Sequence, residues 1–295
     1  SHSPMGVSDQ PDAYSWTVPH VMSTADLERL VEAYIQTAHR LAELGFDGVE
    51  LHGAHGYLIT QLLSPWSNSR DDRFGRDRAG RARFCLDISE GIRKCCPDGF
   101  VLGLKMPADE GVEGGIDPDE AFALTQLLAA KKSVDYFCYG QGNFSPSLED
   151  HVPDLHYRPG HFLHLHKRMR QAAAGIPVIA LGRIGTPHLA DEVIATGQGD
   201  LVGASRAQIA DAAFANKAAD GRSDDIRPST FNNFCGGEVH AGKPLAEFHN
   251  PELATEGEAH AKPKVTQNLK RVAIIGAGPA GLEAAWVAAA RGHQV

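Results

Sequence analysis

The sequence predicts an α/β fold built on parallel strands, and three observations carry that expectation. Short, almost wholly apolar segments alternate with longer ones whose apolar residues recur every three or four positions. Strands that are apolar on both faces suit a sheet covered on both sides. Strand–helix alternation at this spacing implies parallel strands joined by right-handed crossovers. Finally, polar or basic residues follow the end of every apolar segment.

The elements follow in order. The first 20 residues are rich in Ser, Pro and Asp, carry no period and read as loop. A helix is expected over 23–44. Ser23 caps it, Asp26 at the third helical position completes a carboxylate capping box, and Gly45 ends it. Leu27, Leu30, Val31, Tyr34, Ile35, Ala38 and Leu41 form its apolar face. Strands are expected over 46–51, 100–105, 134–139, 177–181 and 200–204. Helices are expected over 81–95, 119–131, 160–174, 187–196 and 208–219. An eight-stranded β/α barrel takes about 250 residues. Residues 1–220 hold five strands, so this domain is either a shorter open sheet or the later part of a barrel.

Residues 221–268 are rich in Gly, Asn, Pro and Glu and read as a linker subdomain. Residues 269–295 then predict a strand over 269–275, the glycine run Gly276, Gly278, Gly281, and a helix over 282–291. A G-x-G-x-x-G between a strand and a helix opens a dinucleotide-binding βαβ unit, the start of a Rossmann-like domain. The sequence lacks an initial Met and stops before that unit's second strand, so truncation at both ends is expected.

Composition excludes several classes. The 295 residues carry 28 Lys and Arg against 37 Asp and Glu, a net charge of −9, which argues against a nucleic-acid partner. No run of apolar residues is long enough to span a membrane. The five cysteines are scattered rather than arranged as a disulfide framework, and no signal peptide is visible, so a reducing, cytoplasmic compartment is expected. The pattern is compatible with a homo-oligomer and with a small-molecule substrate.

In a parallel β/α array the chemistry gathers at the C-terminal strand ends. His52, His55 and Tyr57 follow the first strand, and Lys105 ends the second. Asn143 and, further on, Asp150 follow the third. Gly182 and Arg183 follow the fourth, and Ser205 and Arg206 the fifth. The last two pairs suit a phosphate, held by backbone N–H groups, a helix N-terminus and a cation. The histidines suit hydrogen bonding to a substrate oxygen or an anion, with Tyr57 as proton donor; structural histidines are the plainer alternative. No third ligand at zinc spacing accompanies them, so no metal is expected. His161, His164 and His166 share a predicted outer helix and read as a solvated face.

Three segments carry a resemblance: FDGVELHGAHGYLITQLLSPWSNSR at 46–70, IPVIALGRIGTP and DLVGASRAQIAD. They resemble the Old Yellow Enzyme family of FMN-dependent oxidoreductases. The continuation through DDIRP into KRVAIIGAGPAGLEAA resembles that family's multidomain branch, which contains trimethylamine dehydrogenase and 2,4-dienoyl-CoA reductase. The resemblance implies a partial (β/α)8 barrel, with three earlier strands and the N-terminal flavin contacts outside this sequence. It implies that His52 and His55 bind the substrate's activating oxygen or an inhibitor anion, and that Tyr57 donates a proton. Lys105 stands where the family usually has Arg, beside the flavin pyrimidine ring. Gly182, Arg183, Ser205 and Arg206 match the FMN phosphate site. Gly276, Gly278 and Gly281 would serve a second dinucleotide, FAD or NAD(P). His55 and Asp150 match the His and Asp of the amine-dehydrogenase triad, with His52 in place of its Tyr.

The function so implied is hydride transfer between FMN and a small organic substrate, leaning to oxidation and demethylation of an N-methyl amine. The alternative is an NAD(P)H-dependent ene-reductase acting on α,β-unsaturated carbonyl or enoyl-CoA substrates. A flavin-free phosphate-binding lyase or isomerase explains the arginine loops but not the glycine run, and a degenerate remnant does not explain the retained histidines. The branch's aromatic cage residue is Ser147 here, which weakens cation–π recognition of trimethylamine. The branch's four cluster cysteines are Ser229, Asn232, Cys235 and Glu247 here. One thiolate of four cannot hold an ordinary [4Fe–4S] cluster. Iron and sulfide analysis of the purified full-length protein is therefore expected to find neither; iron at cluster stoichiometry would refute this.

Overall fold

The computed structural model describes residues 4–13, 15–253 and 263–295. Two short strands, β1 (Met5–Gly6) and β2 (His20–Val21), pair in parallel ahead of helix α1 (Thr24–Glu43). That helix starts as its capping pattern requires. The Ser23 hydroxyl accepts from the Asp26 N–H, and the Asp26 carboxylate accepts from the Ser23 N–H. Gly45, at φ +86°, turns the chain out of it.

Five strands form one parallel sheet in chain order: β3 (Gly48–His52), β4 (Val101–Asp109), β5 (Tyr136–Gln141), β6 (Val178–Ala180) and β7 (Leu201–Val202). Spatial order equal to chain order is the arrangement of a β/α barrel; a doubly wound sheet reverses direction part-way. Between the strands lie α2 (Leu58–Leu63), α3 (Arg78–Cys95), α4 (Pro118–Ala129), α5 (Leu148–His151), α6 (Leu163–Ala172) and α7 (Pro187–Ala195). The core sits between sheet and helices, with Leu102, Leu104, Phe137 and Tyr139 meeting Phe84, Ile88, Ile92 and Leu124. Central β4 and β5 are buried nearly throughout, as their apolar sequences predict. Edge strand β3 is not: Glu50 and His52 are exposed because one of its sides carries no neighbour in the sheet.

Several boundaries differ from the sequence expectation. β4 runs on to Asp109, because β5 goes on pairing with it through Pro107 opposite Gly140 and Asp109 opposite Gln141. Conversely, β6 and β7 are shorter than expected, since each finds only two paired positions on the strand before it. The helix expected over 208–219 divides into α8 (Ser205–Ala210) and α9 (Phe214–Ala219). Asp211 sits at the break, its carboxylate accepting from the N–H groups of Ala213 and Arg227 and from Lys217. A side chain that binds nearby backbone competes with the helical ladder there.

His166 is also corrected. It is buried, not solvated: Nδ1 lies 3.0 Å from the Phe162 carbonyl, and Nε2 lies 2.9 Å from the Tyr139 carbonyl and 3.1 Å from the Leu181 N–H. Its helix packs that ring against the ends of β5 and β6, and burial lowers its pKa.

The described residues divide into two units, Ser1–Phe234 and Cys235–Val295. Helices α10 (Phe234–His240) and α11 (Pro279–Ala290) complete the chain order, and Gly278 is the N-cap of α11. The strand expected over 269–275 is realised only as a single parallel bridge, Arg271 opposite Gln294. A strand forms only where a neighbour supplies a ladder, and here two backbone bonds around Gln294 stand in for one: Val272 N–H to the Gln294 carbonyl and Gln294 N–H to the Lys270 carbonyl.

Leu104, 1% exposed at the centre of β4, reports on this core. Leu104→Ala is expected to destabilise the protein by about 2–5 kcal/mol. A lowered denaturant midpoint at unchanged slope would register it.

Candidate active site

The C-terminal ends of β3 to β7 share one edge of the sheet, and the histidines stand at the first of them. His52 closes β3 and lies in register with Lys105 of β4, which lies in register with Cys138 of β5. Gly53 N–H donates to the Lys105 carbonyl at 2.7 Å and keeps the departing chain on β4. His55 and Gly56 then both take left-handed backbone, at φ +67° and +78°, which folds the His55 ring back towards the strand it has left. The ring centroids of His52 and His55 are 5.2 Å apart, and those of His52 and Tyr57 are 5.3 Å apart. Tyr57 is 41% exposed and so open to a substrate, whereas His55 is only 7% exposed.

His55 is seated from two sides. A Cβ at Gly140 would lie 2.5 Å from its Nε2, so glycine there leaves the room in which the ring sits. On its face lies the His151 ring, stacked at 3.8 Å between centroids and 29° between planes. Its carbonyl accepts from the Phe144 N–H at 2.9 Å. Burial, then the neighbouring His151, Lys105 and His52, push the His55 pKa down to about 2. Burial and Lys105 lower that of His52 in the same direction. Both imidazoles are therefore neutral at neutral pH, each with one donor and one acceptor nitrogen.

Asp150 is placed differently from the triad position assigned by resemblance. Its carboxylate accepts from the Tyr157 hydroxyl at 2.9 Å, and the group against His55 is the next residue, His151. Burial and that bond raise the Tyr157 pKa to about 12. Ser147 turns its hydroxyl into its own loop, donating to the Glu110 carbonyl and accepting from the Asn143 N–H.

At the other end of the sheet, Gly182 follows β6 at φ +119°, with open space where a Cβ would stand. Arg183 follows at φ +54°. Its Nε is buried without a hydrogen-bond partner, and burial lowers its pKa. The guanidinium carbons of Arg183 and Arg206 lie 4.8 and 4.7 Å from the centroid of one ring, Phe231. Arg206 also donates to the Pro153 carbonyl and to Asn233 Oδ1. Two cations on one ring, an unmatched N–H and an open glycine turn form a site that suits an anion such as a phosphate. Ser205 opens α8, as expected. Gly182 and Arg183 do not open a helix, because α7 begins only after its own cap, Thr186.

The glycine run of the second unit has three distinct environments. Gly276 turns at φ +109°, and nothing lies within 4 Å of where a Gly278 Cβ would be. A Cβ on Gly281 would lie 1.9 Å from the Gly276 carbonyl oxygen, so α11 packs against the turn only with glycine there. Sequence reasoning missed His151, Glu110, Phe231 and Asn233. Adjacency to Asp150 was the one signal available for His151; the others reach the site only through long-range contacts.

Residues 1–225 match the NADH:flavin oxidoreductase / NADH oxidase family. The chain is 32% identical over 294 residues to an NADH oxidase of Thermoanaerobacter brockii, covering 99% of this chain and 44% of that protein. It is 33% identical over 274 residues to the N,N-dimethylglycine/sarcosine dehydrogenase of Chromohalobacter salexigens, covering 92% of this chain and 39% of that protein. The structure of a 2-naphthoyl-CoA reductase superposes with a TM-score of 0.91 at 29% identity, covering 99% of this chain and 44% of that one. The chain thus spans less than half the length of these relatives.

The seat of His55 is testable. Gly140→Ala is expected to displace the His55 ring, moving its ring-nitrogen NMR shifts while the far-ultraviolet circular dichroism spectrum stays the same. Unmoved shifts would show that the ring does not rest on Gly140.

Proposed function

Because the chain belongs to the NADH:flavin oxidoreductase / NADH oxidase family, we propose that it forms the flavin-binding part of an FMN-dependent oxidoreductase whose substrate is a small N-methyl amine. Gly182, Arg183, Ser205 and Arg206 hold the FMN phosphate: the unmatched Arg183 Nε and the open turn at Gly182 fit an anion there. Bound FMN supplies a hydride acceptor, and Lys105 stands by as the cation that favours the negative charge of its reduced form. Lys keeps the charge of the family's Arg but not its planar fork.

The neutral His52–His55 pair carries the reading. An amine gives up hydride from the carbon next to nitrogen only when the nitrogen lone pair is free. Two neutral imidazoles beside a lysine cation offer an ammonium no counter-charge, so the site takes the substrate as the free amine with that lone pair available. Burial and Lys105 keep both rings uncharged. Water then adds to the resulting iminium carbon, and the C–N bond breaks to leave an aldehyde and the demethylated amine. The likeness to N,N-dimethylglycine/sarcosine dehydrogenase supports this choice of substrate.

A second reading is favoured by Tyr57, which stands exposed 5.3 Å from the His52 ring. In an ene-reductase the neutral imidazoles donate to a carbonyl oxygen and Tyr57 protonates the carbon beside it. The likeness to a 2-naphthoyl-CoA reductase supports that alternative. In both readings Gly276, Gly278 and Gly281 open a second dinucleotide site, for FAD or NAD(P), in the full-length protein. Its glycines fit the three duties of such a turn: tightness, open approach and close helix packing.

Anaerobic mixing of the FMN-loaded full-length protein with sarcosine or N,N-dimethylglycine is expected to bleach the flavin absorbance and yield formaldehyde. No bleaching by any N-methyl amine, with reoxidation of the reduced protein by cinnamate or an enone, would transfer the assignment to the ene-reductase.

A further inference from the structure

We propose that Glu110 is a positioning residue for the histidine pair: its buried carboxylate clamps the loop after β5 onto the turn after β3 and so sets the His55 ring. The proposal rests on the oxidoreductase reading above for its bearing on turnover, and on geometry alone for the clamp itself.

Glu110 follows the last residue of β4 and is 0% exposed. Its Oε2 accepts from the Ser64 hydroxyl at 2.6 Å and the Ile116 N–H at 3.0 Å. Its Oε1 accepts from the Asn143 amide at 2.9 Å. These donors are a hydroxyl, a side-chain amide and a peptide group, so dipoles solvate the carboxylate. The loop over 111–115 closes on it so tightly that a Cβ at Gly115 would lie 2.7 Å from Oε2. Its carbonyl takes part as well, accepting from Ser147 Oγ at 2.7 Å, while Ser147 Oγ accepts from the Asn143 N–H at 2.8 Å.

The two segments so joined flank the catalytic turn. Asn143 is bridged to His55, and the next residue, Phe144, donates its N–H to the His55 carbonyl. Ser64 caps the C-terminus of α2, the helix that begins immediately after Tyr57. One carboxylate therefore holds both ends of the stretch that carries His55 and Tyr57. A buried carboxylate is costly to desolvate, and several ion–dipole bonds at once are what rigidify such a site. The charged and titratable groups facing His55 are His52 of β3, Lys105 of β4 and His151 of α5. The clamp keeps all three at fixed distance from it.

Glu110→Gln preserves shape but sets an amide donor against the Asn143 amide or the Ile116 N–H. Ser147→Ala removes one hydroxyl and leaves the carboxylate. Both are read by histidine ring-15N NMR of the flavin-free full-length protein as pH is varied. In the parent protein His55 is expected to stay neutral across the range from about pH 5 to 8. In Glu110→Gln its protonation midpoint is expected to rise into that range, with a smaller rise in Ser147→Ala and unmoved shifts at His39 of α1. In the FMN-loaded protein kcat/KM is expected to fall about 100-fold for Glu110→Gln without loss of flavin. Should Glu110→Gln fail to fold, Ser147→Ala decides. Parent-like His55 shifts and midpoint in the folded variants would overturn the clamp. The NMR arm needs neither flavin nor turnover, so a failed oxidoreductase reading leaves it standing.

Discussion

His52 lies opposite Lys105, and Lys105 opposite Cys138, across three adjacent parallel strands. That row of main-chain pairing decides which side chains share the site. A shift of one residue on β4 would carry Lys105 to the other face of the sheet and remove the cation from the histidines. The long ladder between β4 and β5 and the two-sided burial of both strands resist such a shift. The glycines follow from the same constraint. Gly140 and Gly142 sit where His55 and His151 press on β5 and the loop beyond it, and a Cβ at either would meet them within 2.5 Å.

The two ends of the sheet treat charge in opposite ways. Around β3 and β4, burial and one lysine hold two imidazoles in their neutral form. Around β6 and β7, two guanidinium groups stay charged against a shared aromatic face. Neutral rings suit hydrogen bonding to an uncharged substrate. Fixed cations suit the retention of a phosphate that takes no part in the reaction. One nucleotide cofactor spanning the edge would use both.

The relatives are named for amine oxidation in one case and for reduction of an aryl-CoA thioester in another. In the segment after β5 of this chain, Tyr157 donates to Asp150 and His151 covers His55. Ser147 in that segment is drawn into hydrogen bonds with Glu110 and Asn143, so it serves the loop's shape.

Periodicity and strand-end chemistry were legible in the residues alone: parallel strands in alternation with helices, the Ser23 cap, the histidines after β3, the arginines after β6 and β7, and the glycine turn before α11. Each of these is local, set by neighbours within a turn of helix or a few residues of strand. What required the folded chain is everything that depends on who meets whom. The extension of β4 needed β5 beside it, and the strand expected over 269–275 shrank to one bridge where little pairs with it. His166 changed from surface to core because α6 packs against the ends of β5 and β6. His151, Glu110 and Phe231 carry no periodic or motif signal, since their partners lie far away along the chain. A linear pattern encodes which face of an element is apolar; contact between distant side chains appears only when those faces have found one another.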